Sequence, residues 1–111
     1  MSVMGNKLRR TRDGILHWCP ACEEAHHFKT DGVHPCWTFN GNADAPTFTP
    51  SMRISWGKFV NPVHDEGGVC HYILTDGVIN FCGDCTHDMA GQSVPLPDWP
   101  YAPGTYGGIE E

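Results

Sequence analysis

At 111 residues the chain has the length of one ordinary domain, yet Leu, Ile, Val and Phe supply only 21 of them and Gly plus Pro supply 22, so a small core needs a staple. No run approaches the 18 apolar residues of a membrane span, and no heptad pattern supports a coiled coil. The formal net charge of −6 divides into +4 over residues 1–12 and −10 over residues 13–111, which makes the body a poor general nucleic-acid surface.

In chain order, residues 1–13 read as a flexible basic arm carrying Lys7, Arg9, Arg10 and Arg12. Met1–Gly5 offers no apolar stretch of a secretory signal, so the expected compartment is the reducing cytoplasm of a bacterial host, where Cys pairs serve metals or redox chemistry more often than disulfides. Ile15–Trp18 reads as a short strand leading into Cys19-Pro20-Ala21-Cys22, and Glu23 to Lys29 as one or two helical turns. Asp31-Gly32 and Asn40-Gly41 mark turns on either side of the β-rich Cys36–Asn40. Pro46–Pro50 is extended and proline-punctuated, as in an edge strand or loop. Ser51 to Val60 alternates as a strand with Met52, Ile54 and Trp56 on one face, and 61–68 is a polar loop.

The clearest element is a hairpin over Val69–Cys82, because Asp76-Gly77 between two apolar runs supplies the positive φ that a tight turn requires. A two-residue turn sets His71 opposite Cys82; one residue more sets Cys70 there. Thr86 to Gly91 reads as a short helical turn. From Val94 the tail carries Pro95, Pro97, Pro100 and Pro103, so it runs extended, packed on the body or offered to a partner. The expected organisation is an arm over 1–13, a zinc-stabilised, mainly β domain with zinc-ribbon-like hairpins and short helical turns over 14–99, and a Pro/Gly-rich acidic tail over 100–111.

Two Cys-x-x-Cys pairs, Cys19/Cys22 and Cys82/Cys85, have the spacing with which a tight turn grips a tetrahedral metal. The 59 residues between them exceed the gap of a simple ribbon, so intervening β-structure has to bring them together. Cys70, His71, Cys82, Cys85 and His87 crowd the hairpin base, while His26, His27 and Cys36 are further candidates for the first pair. His17, His34 and His64 read as ordinary structural or surface residues.

Two catalytic alternatives stand beside a structural zinc. Trp18-Cys19-Pro20-Ala21-Cys22 is similar to the redox loop of thioredoxin-like oxidoreductases, but the long helix of that fold is missing from the pattern. A metal-dependent hydrolase needs an open zinc position and a carboxylate base, for which Asp84, Asp88 and Asp65-Glu66 are candidates. Ser51 is a candidate nucleophile, but no strand-turn-helix elbow surrounds it.

Trp37-Thr38-Phe39-Asn40-Gly41-Asn42, Pro46-Thr47-Phe48-Thr49-Pro50-Ser51, Cys70-His71, Asp76-Gly77, Asp84-Cys85-Thr86-His87 and Ala90-Gly91-Gln92 together resemble a family of small phage and prophage proteins of unknown function. Its members often carry the label "ammonia monooxygenase", although a chain of this size without a membrane span bears no likeness to a membrane-embedded copper enzyme. Some relatives lie beside bacterial ubiquitin-like conjugation genes, which hints at protein interaction. The resemblance covers roughly residues 17–99 and implies that Cys19, Cys22, Cys70, His71, Cys85 and His87 act together as metal ligands. Cys82 departs from the apolar residue usual in the family, and Glu23 from the Gly common after such a knuckle.

The resulting expectation is a Zn2+-stabilised phage or prophage accessory protein that binds a macromolecule, with no catalytic residues assigned. A protein partner is favoured over nucleic acid, with Trp99, Tyr101 and the basic arm supplying contact area and no membrane involved.

Overall fold

The structure, a computed structural model, describes residues 2–56 and 68–101. It is mainly β. The strands are β1 (Ser2–Met4), β2 (Leu8–Arg10), β3 (Gly14–Cys19), β4 (Glu24–Lys29), β5 (Thr38–Phe39), β6 (Phe48–Trp56), β7 (Gly68–Thr75), β8 (Val78–Phe81) and β9 (Ser93–Pro95). They form two antiparallel meanders, β1-β2-β3-β4 and β5-β6-β7-β8-β9. Among the described residues no helix is long and apolar enough to cross a membrane.

Strand alternation builds the core between the sheets. Leu8, Ile15 and Phe28 face inward from the first sheet; Phe48, Met52, Tyr72, Leu74, Ile79 and Phe81 do so from the second. The Phe28 and Phe48 rings stack with centroids 4.1 Å apart and join the two layers. The remaining inward positions of β3, β4 and β7 hold Cys19, His17, His26 and Cys70 rather than aliphatic residues.

The Asp76-Gly77 hairpin forms as its sequence dictates, with φ of 50° and 77° at the two turn residues and Thr75 paired to Val78. Its two-residue turn selects the register in which His71 lies opposite Cys82, whose N–H donates to the His71 carbonyl at 2.8 Å.

Several segments differ from their sequence reading. Residues 2–10 are not a free arm: β1 and β2 extend the first sheet, Leu8 is buried, and the Arg9 guanidinium lies 5.5 Å from the Trp99 ring centroid while donating to the Leu8 carbonyl at 2.7 Å. A basic side chain such as Arg9 can cover an aromatic ring while its backbone pairs as a strand. Glu24–Lys29 is a strand and not a helical turn. Its period of two is carried by His26 and Phe28, and a buried histidine is invisible to an apolar pattern. Residues 86–91 form turns without a helix, through bonds such as Ala90 N–H to the His87 carbonyl at 3.3 Å. The proline-rich tail packs back on the body: β9 pairs with β8, Leu96 and Trp99 are buried, and the Trp99 N–H donates to the Asn6 carbonyl at 2.8 Å. The loop read over 61–68 lies outside the described residues except for Gly68, as do His64, Asp65, Glu66 and residues 102–111.

Candidate functional site

The first cluster forms where the two sheets meet. Cys19 ends β3, and a tight turn returns the chain to β4 with Glu23 at a φ of 54°. The Glu23 N–H donates to the Cys19 carbonyl at 2.8 Å and the Cys22 N–H points at Cys19 Sγ at 3.5 Å, the geometry of a metal-gripping knuckle with Glu in place of Gly. Cys70 reaches the same point from β7 and His26 from β4. One ligand atom from each of Cys19, Cys22, His26 and Cys70 lies within 4.8 Å of the others.

The electrostatics favour charge on Cys19. The Cys22 thiol and then the Cys70 thiol donate to its sulfur and hold its pKa far below the ordinary thiol range. The same bonds push Cys22 and Cys70 up. Burial holds His26 below its usual pKa and so favours the neutral imidazole. Its Nδ1 lies 3.1 Å from the Tyr72 hydroxyl, which also meets His17 Nε2 at 2.5 Å. Burial, with His26 adding to it, lowers His17 to about 4. His26 Nε2 is left buried without a hydrogen-bond partner, on a side chain only 2% exposed, with the Glu24 carboxylate 3.8 Å away. Three thiol sulfurs and a buried imidazole within 4.8 Å of one another are the donor set of a tetrahedral metal, so these residues fit one.

A second constellation lies on the other face of the same strand pair. β6 and β7 pair at Phe48–Leu74 and again at Met52–Tyr72, so Thr49, Pro50 and Ser51 oppose Ile73 alone in a bulge. Beyond it Arg53 pairs with His71, which sets His71 diagonal to Ser51 on the outward side. Ser51 Oγ lies 3.3 Å from His71 Nε2. His71 Nδ1 lies 3.1 Å from Asp84 Oδ1 and 3.2 Å from Oδ2. A carboxylate only accepts, so Nδ1 carries the imidazole hydrogen and Nε2 is free to accept from the Ser51 hydroxyl. The Trp37 indole N–H donates to the Ser51 carbonyl at 3.1 Å and ties down the bulge. Arg53 Nε is 3.9 Å from Asp84 Oδ2, a surface pair of small energetic weight.

The six residues expected to share a metal therefore divide. Cys19, Cys22 and Cys70 come together, joined by His26. His71 follows Cys70 on a strand and faces the opposite way, to Ser51 and Asp84. Cys85 is buried outside the cluster; its Sγ accepts from the His71 N–H at 3.3 Å and donates to the His71 carbonyl at 3.1 Å. His87 packs its ring on Phe81 and accepts from the Met89 N–H at 3.2 Å. Cys82 lies with His71 and Asp84 in a second group of ligand-type atoms. His27 bonds Thr11, with Nε2 2.9 Å from its Oγ1. Strand alternation separates Cys70 from His71; Ser51 and Asp84 each stood among the sequence candidates, but the fold alone brings them to His71.

A family model described as the bacterial ubiquitination-like system serine protease (BubE) matches residues 2–82. The chain belongs to that family. The BubE match takes in Ser51, His71 and all four residues of the thiol–imidazole cluster, and Asp84 follows two residues after its end. No curated protein and no solved structure matches. BubE membership overturns the expected function. A family described by serine protease chemistry in a bacterial system replaces a non-enzymatic phage or prophage accessory protein, and neither a zinc hydrolase nor a thiol oxidoreductase takes its place. The expectation failed because the paired Cys and His spacings drew the reading, whereas the serine, histidine and carboxylate of the other site are dispersed along the chain.

Proposed function

We propose that this chain is a serine protease of a bacterial ubiquitination-like system, with Ser51 as nucleophile, His71 as general base and Asp84 as the group that orients His71. One observation carries the reading: Ser51 Oγ, His71 Nε2, His71 Nδ1 and the Asp84 carboxylate form one hydrogen-bonded line on an accessible face. Triads are recognised by this geometry and not by residue order, and the order here is Ser, His, Asp. The Ser–His distance sits at the loose end usual without substrate.

The steps balance with these three groups and water. Ser51 Oγ forms a bond to the scissile carbonyl carbon as its proton passes to His71 Nε2. The tetrahedral intermediate collapses with cleavage of the carbon–nitrogen bond, and His71 returns the proton to the leaving amine. Water then attacks the acyl-enzyme, gives a proton to His71, and Ser51 Oγ leaves with that proton. Asp84 holds the imidazole in the accepting tautomer and stabilises the imidazolium. The substrate is a protein of that system, cleaved at a peptide or isopeptide bond, which makes the partner a protein.

A fluorophosphonate probe tests this without a known substrate. It labels Ser51 in the wild type, and His71→Ala lowers the labelling rate at least a hundredfold. Labelling at another residue, or labelling indifferent to His71, overturns the assignment.

The metal of the inner cluster is zinc in this reading, held by Cys19, Cys22, Cys70 and His26. Three thiolates and one imidazole form a closed site that suits zinc and supplies folding energy. Zinc binding draws β3, β4 and β7 together and takes no part in the chemistry at Ser51. One zinc per chain, and a fall in Tm of many degrees on removal by a strong chelator, are the expected results.

A further inference from the structure

We infer that His71, Cys82 and Asp84 form a second, accessible site for a divalent cation of zinc type, and that filling it switches Ser51 off. The second half of this inference rests on the protease reading; the first half does not.

One ligand atom from each of His71, Cys82 and Asp84 lies within 4.8 Å of the others. Imidazole, thiol and carboxylate are the three side-chain donors that zinc accepts. Two donors on a tetrahedral zinc at about 2.0–2.1 Å stand about 3.3–3.4 Å apart. His71 Nδ1 and Asp84 Oδ1 are already 3.1 Å apart, so an ion enters with little movement of either. The hairpin register supplies the third donor, because Cys82 follows β8 directly opposite His71 with its N–H on the His71 carbonyl. His71 is a quarter exposed and Asp84 about half, so ions reach this site from solvent, unlike the buried cluster.

The consequence follows from the tautomer. In the triad the His71 hydrogen sits on Nδ1 and Nε2 accepts from Ser51. A metal bound through Nδ1 displaces that hydrogen, and a neutral imidazole then carries it on Nε2. Nε2–H donates and cannot take the Ser51 proton. The ion also captures the carboxylate that would stabilise the imidazolium. Metal binding releases one proton in balance, from the Cys82 thiol. Arg53, 3.9 Å from Asp84 Oδ2, opposes the cation, so this site is weaker than the inner one and responds to free metal concentration.

The test uses the full chain with its inner site zinc-loaded. Titrated with Co2+, the wild type develops one equivalent of thiolate-to-cobalt absorption; Cys82→Ser loses it, Ser51→Ala keeps it, and Arg53→Ala tightens it. A wild type without this equivalent, or a Cys82→Ser chain that keeps it, overturns the site. In the second arm, free Zn2+ slows fluorophosphonate labelling of Ser51 at least tenfold, a mild chelator reverses it, and Cys82→Ser needs at least ten times more zinc for half-inhibition. Rates are compared with each variant's own zinc-free rate. Cobalt binding without inhibition overturns the switch. If Ser51 takes no label even without free metal, the protease reading fails, and the cobalt titration still decides the site.

Discussion

Cys70 and His71 are neighbours in the chain and belong to different worlds. Cys70 is fully buried and points at two other thiols and an imidazole; His71 points outward, to a serine and a carboxylate. The difference is the pleat of β7, which sends successive side chains to opposite faces. A metal that holds a fold together benefits from a closed, dry shell of ligands, whereas a nucleophile has to meet its substrate. One strand serves both needs because its period is two. On the proposed function, the inner site fixes where β7 lies and the outer site uses that position.

The largest expected effect separates the two faces. Ser51→Ala lowers hydrolysis by a factor on the order of 10⁴ or more, because removing a triad nucleophile leaves only binding and dipole stabilisation. Its zinc content and Tm stay at the wild-type values. Cys70→Ser does the reverse in its primary effect: zinc is lost and the Tm falls, and activity falls only in proportion to the unfolded fraction. Measuring metal content, Tm and hydrolysis on both variants tests the separation. A Ser51→Ala chain that loses zinc, or a zinc-free Cys70→Ser chain as stable as wild type, breaks it.

Asp84→Asn is expected next in size, with kcat down by about 10³–10⁴. The amide presents a donor to His71 Nδ1 and favours the wrong tautomer, so KM changes little. The measurement is steady-state kinetics on both proteins. An unchanged kcat removes Asp84 from the triad and leaves Ser51 and His71 as a dyad.

The same contrast explains what the sequence made legible. Turn chemistry is local, so Asp76-Gly77 specified its hairpin, and the structure chose, of the two registers left open, the one that sets Cys82 opposite His71. The mainly β class followed from glycine, proline and alternating runs. The knuckle at Cys19 and Cys22 was legible because two thiols at that spacing can grip one metal from a single tight turn. β4 was not, since its inward residues are His26 and Phe28 and a histidine counts as polar in any pattern of hydropathy. The arm was not, since four basic residues looked solvated and nothing local revealed that Arg9 would lie on Trp99 from the far end of the chain. The proposed triad was the least legible. Its members sit on a bulge, a strand and a turn, and they meet only after β6 and β7 pair. Cys70 and His71 were grouped in one ligand set on the resemblance, and the pleat of β7 sends them to opposite faces.

The smallest expected effect concerns how the inner site is kept in register. Tyr72 has one hydroxyl hydrogen and lies between two buried imidazoles, with His17 Nε2 at 2.5 Å and His26 Nδ1 at 3.1 Å. For His26 to bind zinc through Nε2, its hydrogen has to sit on Nδ1 and point at the Tyr72 oxygen. The Tyr72 hydroxyl is then committed as donor to His17 Nε2, which is neutral and able to accept because burial holds it near 4. One bound metal thus fixes three hydrogens in a row. Tyr72→Phe removes the middle of that row, leaving a buried nitrogen on each imidazole without its partner, which costs about 1–3 kcal/mol. It also frees the His26 ring to take the other tautomer, which lowers zinc affinity by about 10- to 100-fold. Competition with a chelator of known affinity reads the second effect, and denaturant unfolding reads the first. Equal zinc affinity in Tyr72→Phe and wild type would mean that His26 is held by packing alone, and would leave the three thiols of Cys19, Cys22 and Cys70 as the only side chains whose placement the metal requires.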